Sequence, residues 1–113
     1  MKSDKILLNH ILDCIVKIQN YTDSGRTNFL QDEKSQDATI RNLEIIGEAV
    51  KSLSPSLKEK NIQIPWKNIS GLRDVLIHNY FGVDLNLVWN VVEKDLAELK
   101  LKILDIYRTQ KIS

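Results

Sequence analysis

The side chains best suited to chemistry are concentrated in one short stretch, "RDVLIHNY", at residues 73–80. Arg73 is followed directly by Asp74, after five positions by His78, and after two more by Tyr80. A histidine can take or give a proton near neutral pH, and an arginine can stabilise the extra negative charge of a pentacoordinate phosphate. These residue types could support phosphoryl transfer on RNA, with the RNA's own 2′-hydroxyl as the attacking group and no metal or other cofactor.

The spacing of these residues on a helix limits how they can cooperate. Each helical residue turns the chain by about 100°, so Asp74 and His78 lie about 40° apart on one face. We expect the Asp74 carboxylate to accept a hydrogen bond from one imidazole nitrogen, which would leave the other nitrogen free. Arg73 and His78 diverge by about 140°, so they converge only if the helix ends near His78 or a second copy supplies the other half.

The same residues also have a purely structural interpretation. In that alternative, the stretch is an ordinary polar helix end, Arg73 forms a salt bridge and Tyr80 caps the core. Spacing alone does not decide between the two interpretations.

The elements that position this stretch are predicted from hydrophobic periodicity. Apolar residues at three- and four-residue intervals predict helices over 4–21, about 37–53, about 66–79 and about 84–107. "TDSG" predicts a loop, and "RTNFLQDEKSQ" is ambiguous between a short helix and a break. In the connector that follows the second long helix, Ser54 is a possible N-cap and Pro55 suits a first helical turn.

No strand pattern competes with these helices, and only two prolines and four glycines interrupt the chain. The fold class is therefore predicted as all-α, an up-and-down bundle of four to five helices in a single domain over residues 1–113. In the helix that carries the chemical residues, we expect Ile69, Leu72, Val75 and Leu76 to point inward. Gly47, inside the second long helix, would let another helix approach closely, either from the same chain or from a second protomer.

Charge and cysteine content narrow the class of protein further. The net charge is +1, yet residues 51–73 contain five basic residues against one acid, directly before the chemical stretch. A solvated surface or a phosphate-bearing partner would both explain this window. The one cysteine, Cys14, is expected to pack in the core, and with no apolar run long enough for a signal peptide or membrane span the chain is predicted to be cytoplasmic.

"RDVLIHNY" resembles the R-x4-H-x-Y motif of the HEPN superfamily, in its HepT-like branch. The similarity extends to "DATIRNLEIIGEAVKSL", "IPWKNISGLRDVLIHNYFGVD" and "VWNVVEKDL", in the family's order. The resemblance implies an HEPN-like bundle and a homodimer whose two motifs line one cleft. It also implies a toxin that cleaves RNA without a metal and leaves a 2′,3′-cyclic phosphate.

The resemblance assigns roles residue by residue. Arg73 and His78 match the catalytic residues, and Asp74 occupies the polar position after the arginine. Tyr80 matches the tyrosine that a partner antitoxin, a minimal nucleotidyltransferase, modifies with AMP. The alternative is a non-catalytic HEPN module that docks a nucleotidyltransferase or holds a nucleotide.

Overall fold

A computed structural model describes residues 3–79 and 82–112 of the chain. The helices are α1 (Asp4–Tyr21), α2 (Arg26–Gln31), α3 (Glu33–Ser52), α4 (Pro55–Lys60), α5 (Trp66–His78), α6 (Leu85–Asn90) and α7 (Leu96–Thr109). A π-helical turn, Val91–Asp95, joins α6 to α7 in one continuous helical rod. No strand occurs within these ranges, which confirms the predicted all-α class.

Four long helical segments form the bundle, and the short helices α2 and α4 connect them. The core is built from the apolar stripes of α1, α3 and the α6–α7 rod, together with Phe29 of α2 and both tryptophans, Trp66 and Trp89. Cys14 is buried in this core as predicted, and burial raises the pKa of its thiol. Burial of these side chains removes apolar surface from water and is the main favourable contribution to folding.

The first predicted helix is confirmed at both ends, since α1 spans Asp4–Tyr21 and the Ser3 hydroxyl accepts the Ile6 N–H at its start. The ambiguous segment resolves into α2 and the beginning of α3. Helix α3 therefore begins at Glu33, several residues before the predicted start at 37. No described helix is both long enough and apolar enough to cross a bilayer.

The connector between α3 and α5 is held by polar contacts to both ends of the chain. Ser54 caps α4 by accepting the Leu57 N–H, as predicted, and its own N–H and hydroxyl donate to the Asp4 carboxylate at 2.9 and 2.6 Å. The buried Asn61 amide exchanges hydrogen bonds with Gln110 at 3.1 and 2.7 Å. The Asn61 carbonyl accepts the Trp66 indole N–H at 3.1 Å, which fixes the start of α5.

Helix α5 packs chiefly against α3, and this pairing positions the candidate site. Ile69 and Leu72 are partly buried and Leu76 is buried at this interface. The prediction that Val75 points inward is wrong, because its side chain is 55% exposed. Val75 lies two residues after Arg73, about 200° around the helix from the side that contacts Gly47 of α3, so it points away from α3.

Candidate active site

The residues of the "RDVLIHNY" stretch lie on the last turns of α5, which ends at His78. Arg73, Asp74 and His78 are all within the described ranges, and Tyr80 lies outside them. The end of α5 at His78 meets one of the two conditions under which Arg73 and His78 could serve a single site. Asp74 connects Arg73 to His78, because its carboxylate contacts Arg73 and its peptide carbonyl contacts His78.

Arg73 lies at a close contact between α3 and α5. A Cβ atom added to Gly47 of α3 would lie 2.5 Å from the Arg73 Cβ and 3.3 Å from the Ile69 carbonyl oxygen. The Arg73 side chain is 26% exposed, and its Nη1 donates to the Asp74 carboxylate at 3.2 Å. Its Nε is buried and has no hydrogen-bond partner among the described residues. Because the side chain as a whole remains 26% exposed, the outer part of the guanidinium can still donate to a ligand.

The Asp74 carboxylate binds cations and does not bind the histidine. Its Oδ1 accepts from Lys51 Nζ at 3.1 Å and from Arg73 Nη1 at 3.2 Å. The hydrogen bond from Lys51, with the nearby charges of Lys51 and Arg73, lowers the pKa of Asp74 below its ordinary value. Because a lowered pKa favours the charged form, this pairing persists at neutral pH and is lost only as the pH falls through that lowered value.

His78 is oriented by the backbone, which corrects the predicted carboxylate contact. Its Nδ1 lies 2.8 Å from the peptide carbonyl oxygen of Asp74. A carbonyl oxygen can only accept a hydrogen bond, so Nδ1 carries the hydrogen and Nε2 of the neutral ring holds the free lone pair. The carboxylate is instead directed towards Lys51 and Arg73, which both donate to its Oδ1. The acceptor therefore differs from the predicted one, but one ring nitrogen is still fixed by a hydrogen bond and the other is free, as expected.

Lys51 belongs to this cluster, although the sequence analysis did not single it out. It lies on the last turn of α3, four residues after Gly47 and on the same face, and it reaches α5 across the close contact of the two helices. Its side chain is 48% exposed. The signal was present in the sequence, since Lys51 opens the basic window and follows a glycine already expected to permit close approach.

The cluster lies on an open surface and not in a cavity. A groove of about 420 Å³ in the described chain is lined by Leu43, Ile46, Ile69, Leu72 and Leu99, with residues of the π-helical turn. Arg73, Asp74 and His78 are not among its lining residues. An open site beside a basic helix end suits an extended charged polymer better than a small enclosed substrate.

Gly47 should be irreplaceable at the α3–α5 contact, and substitution tests this directly. In Gly47→Ala the new Cβ would meet the Arg73 Cβ at 2.5 Å, so the helices must separate. Overpacking of this kind costs about 1–3 kcal/mol, and the middle of that range exceeds the roughly 1 kcal/mol that alanine gains over glycine in a helix. We expect net destabilisation of about 1 kcal/mol in urea unfolding, with weakened function because Arg73 moves.

Gly71 of α5 provides the matched control for this substitution. A Cβ added there meets no atom within 4 Å. Gly71→Ala should therefore stabilise the protein by about 0.5–1 kcal/mol through helix propensity alone. If Gly47→Ala were stabilising to the same degree as Gly71→Ala, the close α3–α5 contact described above would be wrong.

The fold and the site together define a small all-α bundle that carries an arginine, an aspartate and a histidine on one open helix end. Comparison with known proteins agrees with this class. The family model described as Ribonuclease HepT-like matches residues 11–106. The chain therefore belongs to the Ribonuclease HepT-like family, and its resemblance to HepT-like proteins is confirmed.

Individual relatives carry related names. A Thermococcus cleftensis protein named "Probable ribonuclease HepT" is 42% identical over 102 residues, covering 89% of this chain and 93% of that protein. A Caldanaerobacter subterraneus "Putative RNase" is 39% identical over 112 residues, covering 98% and 100%.

A longer relative is named "Gamma-glutamylcyclotransferase and putative RNase", from Methanocaldococcus jannaschii. It is 51% identical over 106 residues, which cover 93% of this chain and 48% of that protein. The chain thus spans about half the length of this relative. No solved structure matches the chain at a significant level.

Proposed function

We propose that residues 1–113 form a single domain that acts as a metal-independent endoribonuclease and as the toxin of a toxin–antitoxin system. The observation that carries the proposal is the 2.8 Å contact between His78 Nδ1 and the Asp74 carbonyl oxygen, on the same helix end where Lys51 and Arg73 bind the Asp74 carboxylate. Membership of the Ribonuclease HepT-like family and the names of its relatives support the choice of RNA as substrate.

The proposed reaction uses groups that the geometry already prepares. His78 Nε2 removes the proton of an RNA 2′-hydroxyl, whose oxygen attacks the adjacent phosphorus. The bond from phosphorus to the 5′-oxygen breaks, and that oxygen takes up a proton. The products are a 2′,3′-cyclic phosphate and a free 5′-hydroxyl.

Arg73 would stabilise the negative charge that develops on the phosphoryl oxygens during this attack, because its guanidinium offers several donors in one plane. Asp74 would serve catalysis by positioning both partners. Its carbonyl holds the His78 ring, and in the free protein its carboxylate holds Arg73 in place for the incoming phosphate.

An RNA cleavage assay tests the proposal against the non-catalytic alternative. The purified protein should cleave single-stranded RNA in the presence of EDTA, since the proposed chemistry uses no metal. A protein that binds RNA or a nucleotide but leaves RNA intact under these conditions would be a binding module and not a ribonuclease.

The proposed active form is a homodimer in which both motifs face one cleft. The exposed Val75 supports this arrangement, because a large part of an apolar side chain faces solvent three residues from His78. A second copy that covered Val75 would bring its own Arg73 and His78 to the same cleft. The roughly 140° divergence of these two residues on one helix is then no obstacle.

Light scattering at micromolar concentration should show a dimer that Val75→Lys converts to a monomer, since a buried unpaired ammonium would oppose association. Leu101→Lys is the matched control, because Leu101 is 69% exposed on α7 and lies outside the proposed cleft. A monomeric wild-type protein, or equal dissociation by both variants, would count against this interface.

The proposed control of the toxin is addition of AMP to Tyr80 by a cognate nucleotidyltransferase antitoxin that uses ATP. The modification would place a bulky, negatively charged phosphate beside His78, where it would exclude an RNA phosphate by charge and by volume. Of the other tyrosines, Tyr107 has its hydroxyl bound to Asn9 Oδ1 at 2.5 Å, and burial raises its pKa. Tyr21 is 39% exposed, so it is the competing acceptor.

Incubation with the antitoxin and ATP should add AMP to Tyr80 and stop RNA cleavage. Tyr80→Phe should cleave RNA but escape inhibition, because it lacks the acceptor hydroxyl and keeps Arg73 and His78. Tyr21→Phe serves as the control and should still be modified and inhibited. Peptide mass spectrometry decides the question, and AMP found on Tyr21 with Tyr80 unmodified would contradict this account of regulation.

A further inference from the structure

Two cations from different helices converge on one carboxylate oxygen at the candidate site. Lys51 Nζ, at the end of α3, lies 3.1 Å from Asp74 Oδ1, and Arg73 Nη1, on α5, lies 3.2 Å from the same atom. This is the arrangement in which two basic side chains bind a single phosphoryl oxygen. Both cations remain partly exposed, at 48% for Lys51 and 26% for Arg73, so a ligand from solvent can reach them.

The placement of Lys51 is fixed by the packing beneath it. Gly47 is one turn before Lys51, and its missing side chain is what allows α3 to contact Arg73 so closely. Lys58 extends the same basic surface, since its Nζ lies 3.5 Å from the Lys51 carbonyl oxygen at the end of α3. A cation at the C-terminal end of α3 is also stabilised by the negative end of the α3 helix dipole.

The charge of the cluster favours an anionic ligand. Lys51 and Arg73 contribute two positive charges and Asp74 one negative charge, so the cluster is positive even with the aspartate bound. The Asp74 carboxylate is itself 48% exposed and can turn towards solvent. A phosphodiester that takes its place between the two cations would lie within one helical turn of His78.

We propose that Lys51 is a substrate-binding residue that, with Arg73, holds the phosphodiester of single-stranded RNA beside His78. This inference rests on the proposed ribonuclease function and extends it to a residue on a second helix. In the free protein the Asp74 carboxylate occupies the phosphate position and keeps the two cations together. In the complex a non-bridging phosphoryl oxygen replaces it.

A purely structural role for Lys51 predicts a different pattern of variants. If Lys51 only paired with Asp74, then Lys51→Met and Asp74→Asn would break the same ion pair and change RNA binding in the same direction. If Lys51 binds phosphate, Lys51→Met weakens binding because it removes a cation. Asp74→Asn strengthens binding because it removes the competing anion.

The test is the binding of a labelled single-stranded 2′-O-methyl RNA, which cannot be cleaved because its 2′-oxygen is blocked. Fluorescence anisotropy is measured over a range of salt concentrations. Lys51→Met should raise the Kd about tenfold, as loss of a charge-assisted hydrogen bond does. It should also reduce the slope of log K against log salt by about 0.7, the contribution of one single-strand phosphate contact.

Lys60→Met is the matched control, since it removes one charge from an exposed lysine of the same basic window on α4. It should change the Kd much less than Lys51→Met, and Lys51→Arg should restore most of the affinity. If the wild-type protein binds the RNA and Lys51→Met changes neither the Kd nor the salt slope, the proposed role of Lys51 is wrong. The proposed ribonuclease function would not be affected by that result. Equal losses of RNA affinity in Lys51→Met and Asp74→Asn would also contradict the role of Lys51. If the wild-type protein does not bind RNA, both the role of Lys51 and the proposed RNA function are wrong.

Discussion

His78→Ala is expected to reduce RNA cleavage by about 10²- to 10⁴-fold, the usual cost of losing a general acid or base. The imidazole is the only group of the cluster that can accept a proton near neutral pH, since Arg73 and Lys51 are cations and Asp74 is held ionised by them. The fold should be unaffected, because His78 is exposed and lies at the last residue of α5. Initial rates on single-stranded RNA in EDTA, with thermal unfolding of each variant, measure both quantities.

His10→Ala is the matched control for this prediction. His10 is the other histidine of the chain and is exposed on α1. It should cleave RNA at the wild-type rate, and loss of cleavage by His78→Ala purified in the same way would exclude a contaminating nuclease common to all preparations. Wild-type cleavage by His78→Ala would remove the histidine from the mechanism.

Arg73→Ala is expected to cause a loss of comparable severity, about 10²- to 10³-fold, as removal of a group that stabilises transition-state charge does. Alanine keeps the Cβ that contacts Gly47, so the α3–α5 interface should remain intact. Arg73→Lys should recover only part of the activity, because an ammonium lacks the planar set of donors of a guanidinium. The assay is the same initial-rate measurement, with unfolding curves to confirm the interface.

The two arginine variants separate charge from geometry. If Arg73→Lys were as active as the wild-type protein, a point charge would suffice and the planar donors would have no special role. If Arg73→Ala were fully active, Arg73 would be a structural residue of the helix end, as in the alternative interpretation of the sequence.

Much of the fold follows from local patterns in the sequence. Helix α1 was predicted at both ends because its apolar stripe is regular and polar residues bound it. The Ser54 cap before Pro55 was predicted because both residues have strong positional preferences at a helix start. The start of α3 was misplaced, since the polar stretch after Gln31 has no apolar periodicity to distinguish a helix from a break.

Features that depend on packing between distant segments were not predictable in the same way. The stripe on α5 was extended to Val75, although the contact with α3 rotates that residue towards solvent. The π-helical turn at Val91–Asp95 was missed because an extra residue in one turn leaves the apolar spacing nearly unchanged.

In the candidate site, too, features set by local spacing were predictable and features set by packing between distant segments were not. The sequence brought Arg73, Asp74 and His78 together, and their spacing indicated that one ring nitrogen of His78 would be fixed. It did not distinguish the Asp74 carboxylate from the Asp74 peptide carbonyl as the acceptor, because both belong to the residue four positions before His78. The partner of the Asp74 carboxylate is set by the α3–α5 contact at Gly47, and no local pattern encodes it.

The chemical ends of the RNA products test the central claim most directly. Mass spectrometry of fragments produced in EDTA should show 5′-hydroxyls and 2′,3′-cyclic phosphates, or the 2′- or 3′-monophosphates formed when water opens the cyclic ester, because attack by the 2′-oxygen leaves the phosphate on the 3′ side of the break. An RNA with 2′-O-methyl groups throughout should remain intact. Products with 5′-phosphates and 3′-hydroxyls, or cleavage of the methylated RNA, would mean that water is the attacking group and would contradict the mechanism assigned to His78.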